Sequence, residues 1–192
     1  MNQIVGILLA AGASRRFGSD KLVHRLPSGL PVAVQACRNL LAGTDEVLAV
    51  LRPGHDALAA MLRSEGARVA YCADAEQGMA TSLAFGISSC PTADGWLVAL
   101  ADMPWVAPKT IRSVTDALRA GAMIAAPSLH GRRGHPVGFA NALAGELIAL
   151  SGDQGAKTVI QSHLDQLTII HSSDPGILQD IDLPGDSPIQ NT

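Results

Sequence analysis

The chain has 192 residues, long enough for one substantial core, and its 47% hydrophobic content with a mean hydropathy of +0.23 excludes an intrinsically disordered chain. Its formal net charge of −3 excludes a nonspecific nucleic-acid binder, which needs a surplus of cations to displace phosphate counterions. The basic residues cluster locally instead, at Arg15, Arg16 and Lys21 and again at Arg132 and Arg133, a distribution that suits a small anion better than a polymer.

The first predicted element is a buried strand, Ile4, Val5, Ile7, Leu8 and Leu9, rich in β-branched residues and ended by turn signals. It opens into Ala10, Ala11, Gly12, Ala13 and Ser14, small residues that let a ligand approach the backbone, with Gly12 free to take positive φ. Residues 22–29 are turn-rich, and Pro31 stands where a helix begins, its apolar face marked by Ala33, Ala36, Cys37, Leu40 and Leu41 and its end by Gly43. A second strand over 46–51 closes at Arg52-Pro53-Gly54, a short helix over 57–65 stops at Gly66, and a third strand covers 68–72. Strand, helix, strand, helix, strand implies a parallel sheet covered by helices. A polar loop over 74–82 then leads into an alanine-rich helix ending at Ser88, and the apolar strand 96–101 runs directly into Asp102-Met103-Pro104. A helix over 110–119, a strand over 123–126, a basic Gly-broken loop over 128–135, a strand over 136–140, helices over 141–150 and 155–163 and a late strand over 167–171 complete the core. Asp180 and Asp182 precede a polar tail from about residue 185. There is no repeat, low-complexity segment or linker, so one α/β domain is expected over 1–192. Cys37, Cys72 and Cys90 lie far apart without C-x-x-C spacing, which supports neither a zinc site nor a disulfide framework and points to a reducing, cytoplasmic compartment. No apolar stretch is long enough to span a bilayer, so no membrane partner is expected.

In an open α/β sheet, ligands bind beyond the carboxyl ends of the strands. The loop 10–21, with main-chain N–H groups and three nearby cations, suits a polyphosphate, yet it is neither a Walker A loop nor a G-x-G-x-x-G fingerprint. Asp102, held on a rigid strand end, has the chemistry to hold a divalent cation bridging phosphate oxygens. Asp180 and Asp182, two apart in an extended stretch, point to opposite sides, so one of them faces the site. Asp153 also fits the N-cap of the next helix.

The phrase L-A-A-G-x-S-x-R-x-G-x-x-K over 9–21 resembles the signature loop of the MobA-like nucleotidyltransferases, and its double alanine is most similar to the molybdenum cofactor cytidylyltransferase branch. Further segments resemble that family in the same order, from about residue 4 to 184. L-A-D-M-P resembles its metal-binding segment, and the resemblance makes Asp102 a magnesium ligand joined by Asp182 from the D-I-D-L-P stretch, where Leu183 departs from the family's Thr. Gln77-Gly78-Met79-x-x-Ser82 resembles a loop lying against the nucleotide's base and ribose, and Gly134-His135-Pro136 a segment on the substrate side. Residues 151–157 resemble G-D-x-G-A-R with Lys157 in place of Arg, which keeps the cation and loses the bidentate fork.

The resemblance implies a Rossmann-like three-layer sandwich, nucleotide-diphospho-sugar transferase-like, with a mostly parallel sheet that turns mixed near the substrate side. It implies transfer of CMP from CTP to the terminal phosphate of molybdopterin, with release of pyrophosphate and Mg2+ as cofactor. Arg15, Lys21 and Asp102 are the expected catalytic residues, and Leu9, Ala10, Ala11, Gly12, Ser14, Arg15, Lys21, Gln77, Gly78 and Ser82 bind the nucleotide. Arg132, Arg133, His135 and Asp153 are expected to bind the pterin substrate, and Asp102 and Asp182 the metal. A receiving molybdoenzyme or its chaperone would be a transient partner. The same scaffold also accommodates guanylyl transfer, transfer to a sugar or alcohol phosphate, or a non-catalytic nucleotide-binding role in cofactor delivery.

Overall fold

The computed structural model of the chain describes residues 3–12 and 21–181. The first strand, β1 (Ile4–Leu9), is buried on both faces, as its unbroken apolar run requires. Its alternating side chains feed two different cores. Ile4 and Leu8 pack with α1 (Val32–Leu41), α2 (Asp56–Ser64) and α4 (Pro108–Arg119), whereas Val5 and Ile7 pack on the opposite face with α3 (Met79–Ser88), α5 (Ala144–Ile148) and α6 (Lys157–Ser162). The result is a helix–sheet–helix sandwich with a Rossmann-like centre.

Beside β1 lie β2 (Glu46–Leu51) and β4 (Gly95–Leu100), both parallel to it, and β3 (Arg68–Tyr71) extends the sheet beyond β2. The remaining strands are β5 (Ile124–Leu129), β6 (Arg132–Arg133), β7 (Val137–Ala140) and β8 (Leu167–His171). The order is β3-β2-β1-β4-β7-β5-β6, with β8 pairing with β5 as well. Only β6 and β7 run antiparallel to their neighbours, so the sheet is parallel at the β1 end and mixed beyond β4. Leu9 is paired with both Val50 and Leu100, so β1 and β4 finish level, β2 ends one residue further, and their loops emerge side by side.

Two expectations need correction. The stretch expected as a loop over 128–135 instead contains the hairpin β5–β6, turned by His130 at φ 49° and Gly131 at φ 78°. A single-sequence pattern cannot distinguish it, because Arg132 and Arg133 have no apolar alternation to mark a strand. The helix expected over 141–150 is a 3-10 turn over Asn141–Leu143 continued by the short α5. Among the described residues no helix is long and apolar enough to cross a membrane.

Close seating of α3 on the sheet depends on Gly86, where a Cβ would stand 2.8 Å from Ile7 Cγ2 and 3.0 Å from Val50 Cγ2. Gly86→Leu is therefore expected to lower unfolding stability by about 1–3 kcal/mol through overpacking, even after its gain in helix propensity. Chemical denaturation checks this, and an unchanged midpoint would contradict the close packing.

Candidate functional site

The level strand ends build a cleft of about 530 Å3. From β1 and its loop it takes Leu9, Ala11 and Gly12, and from the end of β4 it takes Leu100 and Asp102. Ala10 donates its N–H to the Val50 carbonyl at 2.9 Å, so among the described residues the loop's remaining main-chain donors are Ala11 and Gly12. Gly12 does not use the positive φ open to it; a Cβ there would meet only open space. The residue keeps the floor of the cleft free of a side chain.

Lys21 begins a 3-10 turn anchored by buried Leu22 and reaches Asp102, Nζ to Oδ2 at 2.8 Å, with the two side chains 16% and 22% exposed. The other Asp102 oxygen, Oδ1, accepts no hydrogen bond from the described residues. The Asp102 backbone is fixed from two sides. The Ala101 N–H donates to the Leu9 carbonyl at 3.1 Å, and the Asp102 carbonyl accepts the Ile181 N–H at 2.9 Å. Ile181 itself is buried with Leu26, Val32 and Trp105, so the chain after β8 straps across the Asp102 corner.

The far wall is the start of α3. Gly78 adopts φ 127°, and a Cβ there would collide with the Gly152 carbonyl and the Asp153 carboxylate. The Ala80 N–H donates to the Gly152 carbonyl at 2.9 Å, which locks the 151–155 loop onto this helix end. Buried Ser82 and exposed Asp153 also line the cleft.

A second cavity, about 250 Å3, adjoins the first and shares Leu9, Met79 and Leu100 with it. Its base is apolar, with Leu83, Val98, Val137, Phe139 and Ile160, and its polar groups are Arg133, His135, Gln154 and Lys157. It lies over β7, the antiparallel strand, on the mixed side of the sheet.

The sequence-predicted residues distribute unevenly over this site. Leu9, Ala11, Gly12, Lys21, Gly78, Ser82 and Asp102 meet in the larger cleft, whereas Ala10 is buried and does not line it. Arg133 and His135 meet in the smaller cavity. Asp153, expected with them, stands instead in the larger cleft, because the Gly78 contact draws its loop to α3. Arg132 lines neither cavity; as Arg133's neighbour on β6 its side chain takes the opposite face. Gln77 also lines neither, and its amide donates to Asp74 Oδ1 at 2.9 Å. Ser14, Arg15 and Asp182 lie outside the described residues. Arg52 and Glu76 also line the cleft without having been singled out as binding residues, and Met79 does so from within the family-like phrase over 77–82. Arg52 comes directly after β2, the strand beside β1, so the strand-end rule was the available signal for it.

His135 is held differently from the other polar groups. Its main-chain N–H donates to the Ile177 carbonyl at 2.9 Å, and its ring Nδ1 is buried without a hydrogen-bond partner. Burial pushes the imidazole below its ordinary pKa, opposed by the nearby Asp102 carboxylate and reinforced by Arg133. It is a neutral ring at neutral pH.

Among the described residues no group of three or more His, Cys, Asp or Glu side chains could hold a metal unaided. Asp102, with one oxygen open to a cleft, fits the way Mg2+ binds through one or two carboxylates and the phosphates of its substrate. The arrangement as a whole, main-chain donors and a Lys–Asp pair at the strand ends beside a second cavity, suits an anionic ligand bound at the carboxyl edge of an α/β sheet. The profile of the MobA-like NTP transferase domain matches residues 6–167, and the chain belongs to that family. It is 30% identical to purine catabolism protein PucB of Bacillus subtilis (strain 168), over 94% of this chain and 92% of that protein. It is also 30% identical to nicotine blue oxidoreductase of Paenarthrobacter nicotinovorans, over 93% and 92%. The crystal structure of Rv0371c from Mycobacterium tuberculosis H37Rv superposes with a TM-score of 0.77 at 30% identity, covering 89% of this chain and 88% of that one. That protein has also been solved in complex with manganese.

A depressed His135 pKa favours the folded state above the ordinary histidine value of about 6.5, and this contribution is lost as pH falls from there through the folded-state value. Replacing the ring by His135→Gln is therefore expected to flatten the decline of melting temperature between roughly pH 7 and 5. Thermal melts across that range check it; an equally steep decline in the variant would contradict it.

Proposed function

We propose that the protein transfers CMP from CTP to the terminal phosphate of molybdopterin and releases pyrophosphate. The observation that carries this reading is the adjacency of the two cavities across Leu9, Met79 and Leu100, one with the cation–carboxylate pair and one apolar with Arg133 and Lys157. The larger cleft takes the donor nucleotide, and the smaller takes the heterocyclic acceptor with its phosphate turned towards the seam. The choice of CTP is supported by the double alanine at Ala10 and Ala11, through its resemblance to the cytidylyltransferase branch.

The physical obstacle is the approach of one phosphate anion to another. An acceptor phosphate monoester carries about −1.5 to −2 charge at pH 7, so its oxygen is already a competent nucleophile and needs no general base. His135 lines the acceptor cavity, and because the nucleophile is already ionised no proton transfer is asked of it. The acceptor oxygen forms its bond to the α-phosphorus of CTP as the bond to the bridging oxygen of pyrophosphate breaks. Lys21, now paired with Asp102, would turn to the triphosphate and offset the charge gathering on the leaving group. The Ala11 and Gly12 N–H groups hold the donor in line, and Arg15 adds a further cation. Asp102, with Asp182, would hold Mg2+, whose chemistry is to neutralise phosphate charge and orient the displaced group.

The assay is pyrophosphate release with Mg2+ and molybdenum-loaded molybdopterin, comparing CTP, GTP, ATP and UTP. Release with CTP alone, dependent on the pterin, is expected; release with GTP would instead move the protein to guanylyl transfer. Asp102→Ala should abolish nearly all turnover with an unchanged circular dichroism spectrum. Retained turnover at saturating Mg2+ would contradict the role given to that carboxylate.

A further inference from the structure

The two edges of the sheet are treated differently. The short strand β3 closes one edge and is guarded by charge, with Arg68 exposed and paired with Glu46 and the Arg63 guanidinium lying over Tyr71. At the other end β6 and β7 take one side of β5, and β8 takes the opposite side as the last strand. Leu167-Thr168-Ile169-Ile170-His171 contains no Asp, Glu, Lys or Arg, and Thr168, Ile169 and His171 are exposed. Ile169 is 40% exposed, and Leu164, just before the strand, is 59% exposed. Proteins blunt their sheet edges with charge, proline or bulges, and a bare apolar edge is a template for another strand.

The hydrogen-bond register shows which main-chain groups this edge presents. Ser128 is opposite His171 in the parallel β5–β8 pair, and the Ser172 N–H donates to the Ser128 carbonyl at 2.9 Å. Alternate residues of a strand turn their main-chain groups to the same neighbour. Thr168 and Ile170 therefore bond to β5, whereas Leu167, Ile169 and His171 turn N–H and C=O outward, where no described strand pairs with them.

We propose that this edge is a homodimer interface, in which β8 pairs antiparallel with β8 of a second copy about a two-fold axis at Ile169. In that register Ile169 lies opposite the partner's Ile169, and Leu167 opposite the partner's His171. Every outward-turned residue meets another, while a slip of one residue would oppose them to groups already bonded to β5. The exposed isoleucines pack on each other across the axis, and an uncharged strand sets no like charges opposite one another. Charge beyond the strand ends is complementary. Asp165 precedes β8, and Lys109 lines a polar cavity of about 310 Å3 at the far end with His171, Ser172 and Ser173. Both are exposed, and neither makes an ion pair with a described residue. Antiparallel pairing carries Asp165 towards the partner's Lys109, and the reverse. Such a self-complementary patch is what a closed two-fold dimer requires. Strand direction reverses across the axis, so the two Asp102 clefts open at opposite ends of one continuous sheet and both stay accessible. The inference is independent of the substrates proposed above.

The test is sedimentation of the full chain at micromolar concentration, with amide exchange followed by NMR. The expected mass is twice the 19.8 kDa of one chain. The Leu167, Ile169 and His171 amides should be protected in that dimer. Ile169→Lys places like charges on the axis and should give a monomer with an unchanged circular dichroism spectrum, in which those amides exchange fast while Thr168 and Ile170 stay protected. Lys109→Glu should weaken dimerisation by about threefold to tenfold through loss of exposed ion pairs, and adding Asp165→Lys should restore it. These surface variants decide the matter if Ile169→Lys does not fold. A monomeric wild-type protein would overturn the proposal, including one whose Leu167, Ile169 and His171 amides are protected, since another part of the same chain would then cover the edge. So would a dimer that Ile169→Lys leaves intact, or one indifferent to Lys109→Glu and its compensating exchange.

Discussion

The chemistry of this molecule depends on one register. Leu9 is paired with Val50 on one side and with Leu100 on the other, so β1 and β4 stop at the same height and β2 one residue beyond. With neighbouring strands about 4.8 Å apart, the loops after them emerge within reach of a single ligand. Ala11 and Gly12 extend from the middle strand, Arg52 from one flank and Asp102 from the other. A slip of one residue in β4 would turn Asp102 to the opposite face and remove the partner of Lys21.

The mixed half of the sheet serves a separate purpose. Because β7 runs against β4, its residues bring the β6–β7 connection back to the same end of the sheet, and with it Arg133 and His135. The strap formed by residues 174–181 then fixes that corner. Asp174 accepts hydrogen bonds from the Ala107 N–H and the Thr110 hydroxyl at the start of α4, the Ile177 carbonyl accepts from the His135 N–H, and the Ile181 N–H donates to Asp102. One late segment therefore ties the main chain of His135, in the smaller cavity, to the main-chain carbonyl of Asp102, in the larger cleft. The 151–155 loop acts likewise at the opposite wall, through Gly152 and Gly78.

Much of this was legible in the sequence, for identifiable reasons. Buried parallel strands are near-continuous apolar runs, so β1, β2 and β4 were visible without any partner information. The meeting of Lys21 and Asp102 in one cleft was legible because both follow strand ends, and the family-like phrases over 9–21 and 100–104 singled them out as candidates. The features hidden from sequence reasoning were set by contacts distant along the chain. Asp153 sits in the larger cleft because Gly78, far earlier, leaves room for its loop. Arg132 and Arg133 separate because they occupy a strand with no apolar pattern.

Everything proposed for the reaction requires donor and acceptor to occupy adjoining cavities and to meet at the Leu9–Met79–Leu100 seam. The most direct measurement is a crystal structure with Mg2+, a CTP analogue non-hydrolysable between the α- and β-phosphates, and a molybdopterin-type acceptor. The triphosphate is expected against Lys21 and Asp102 in the larger cleft, with the acceptor phosphate facing the α-phosphorus from the Arg133 side. A nucleobase seated in the smaller cavity over β7, or a triphosphate bound away from Lys21 and Asp102, would contradict it.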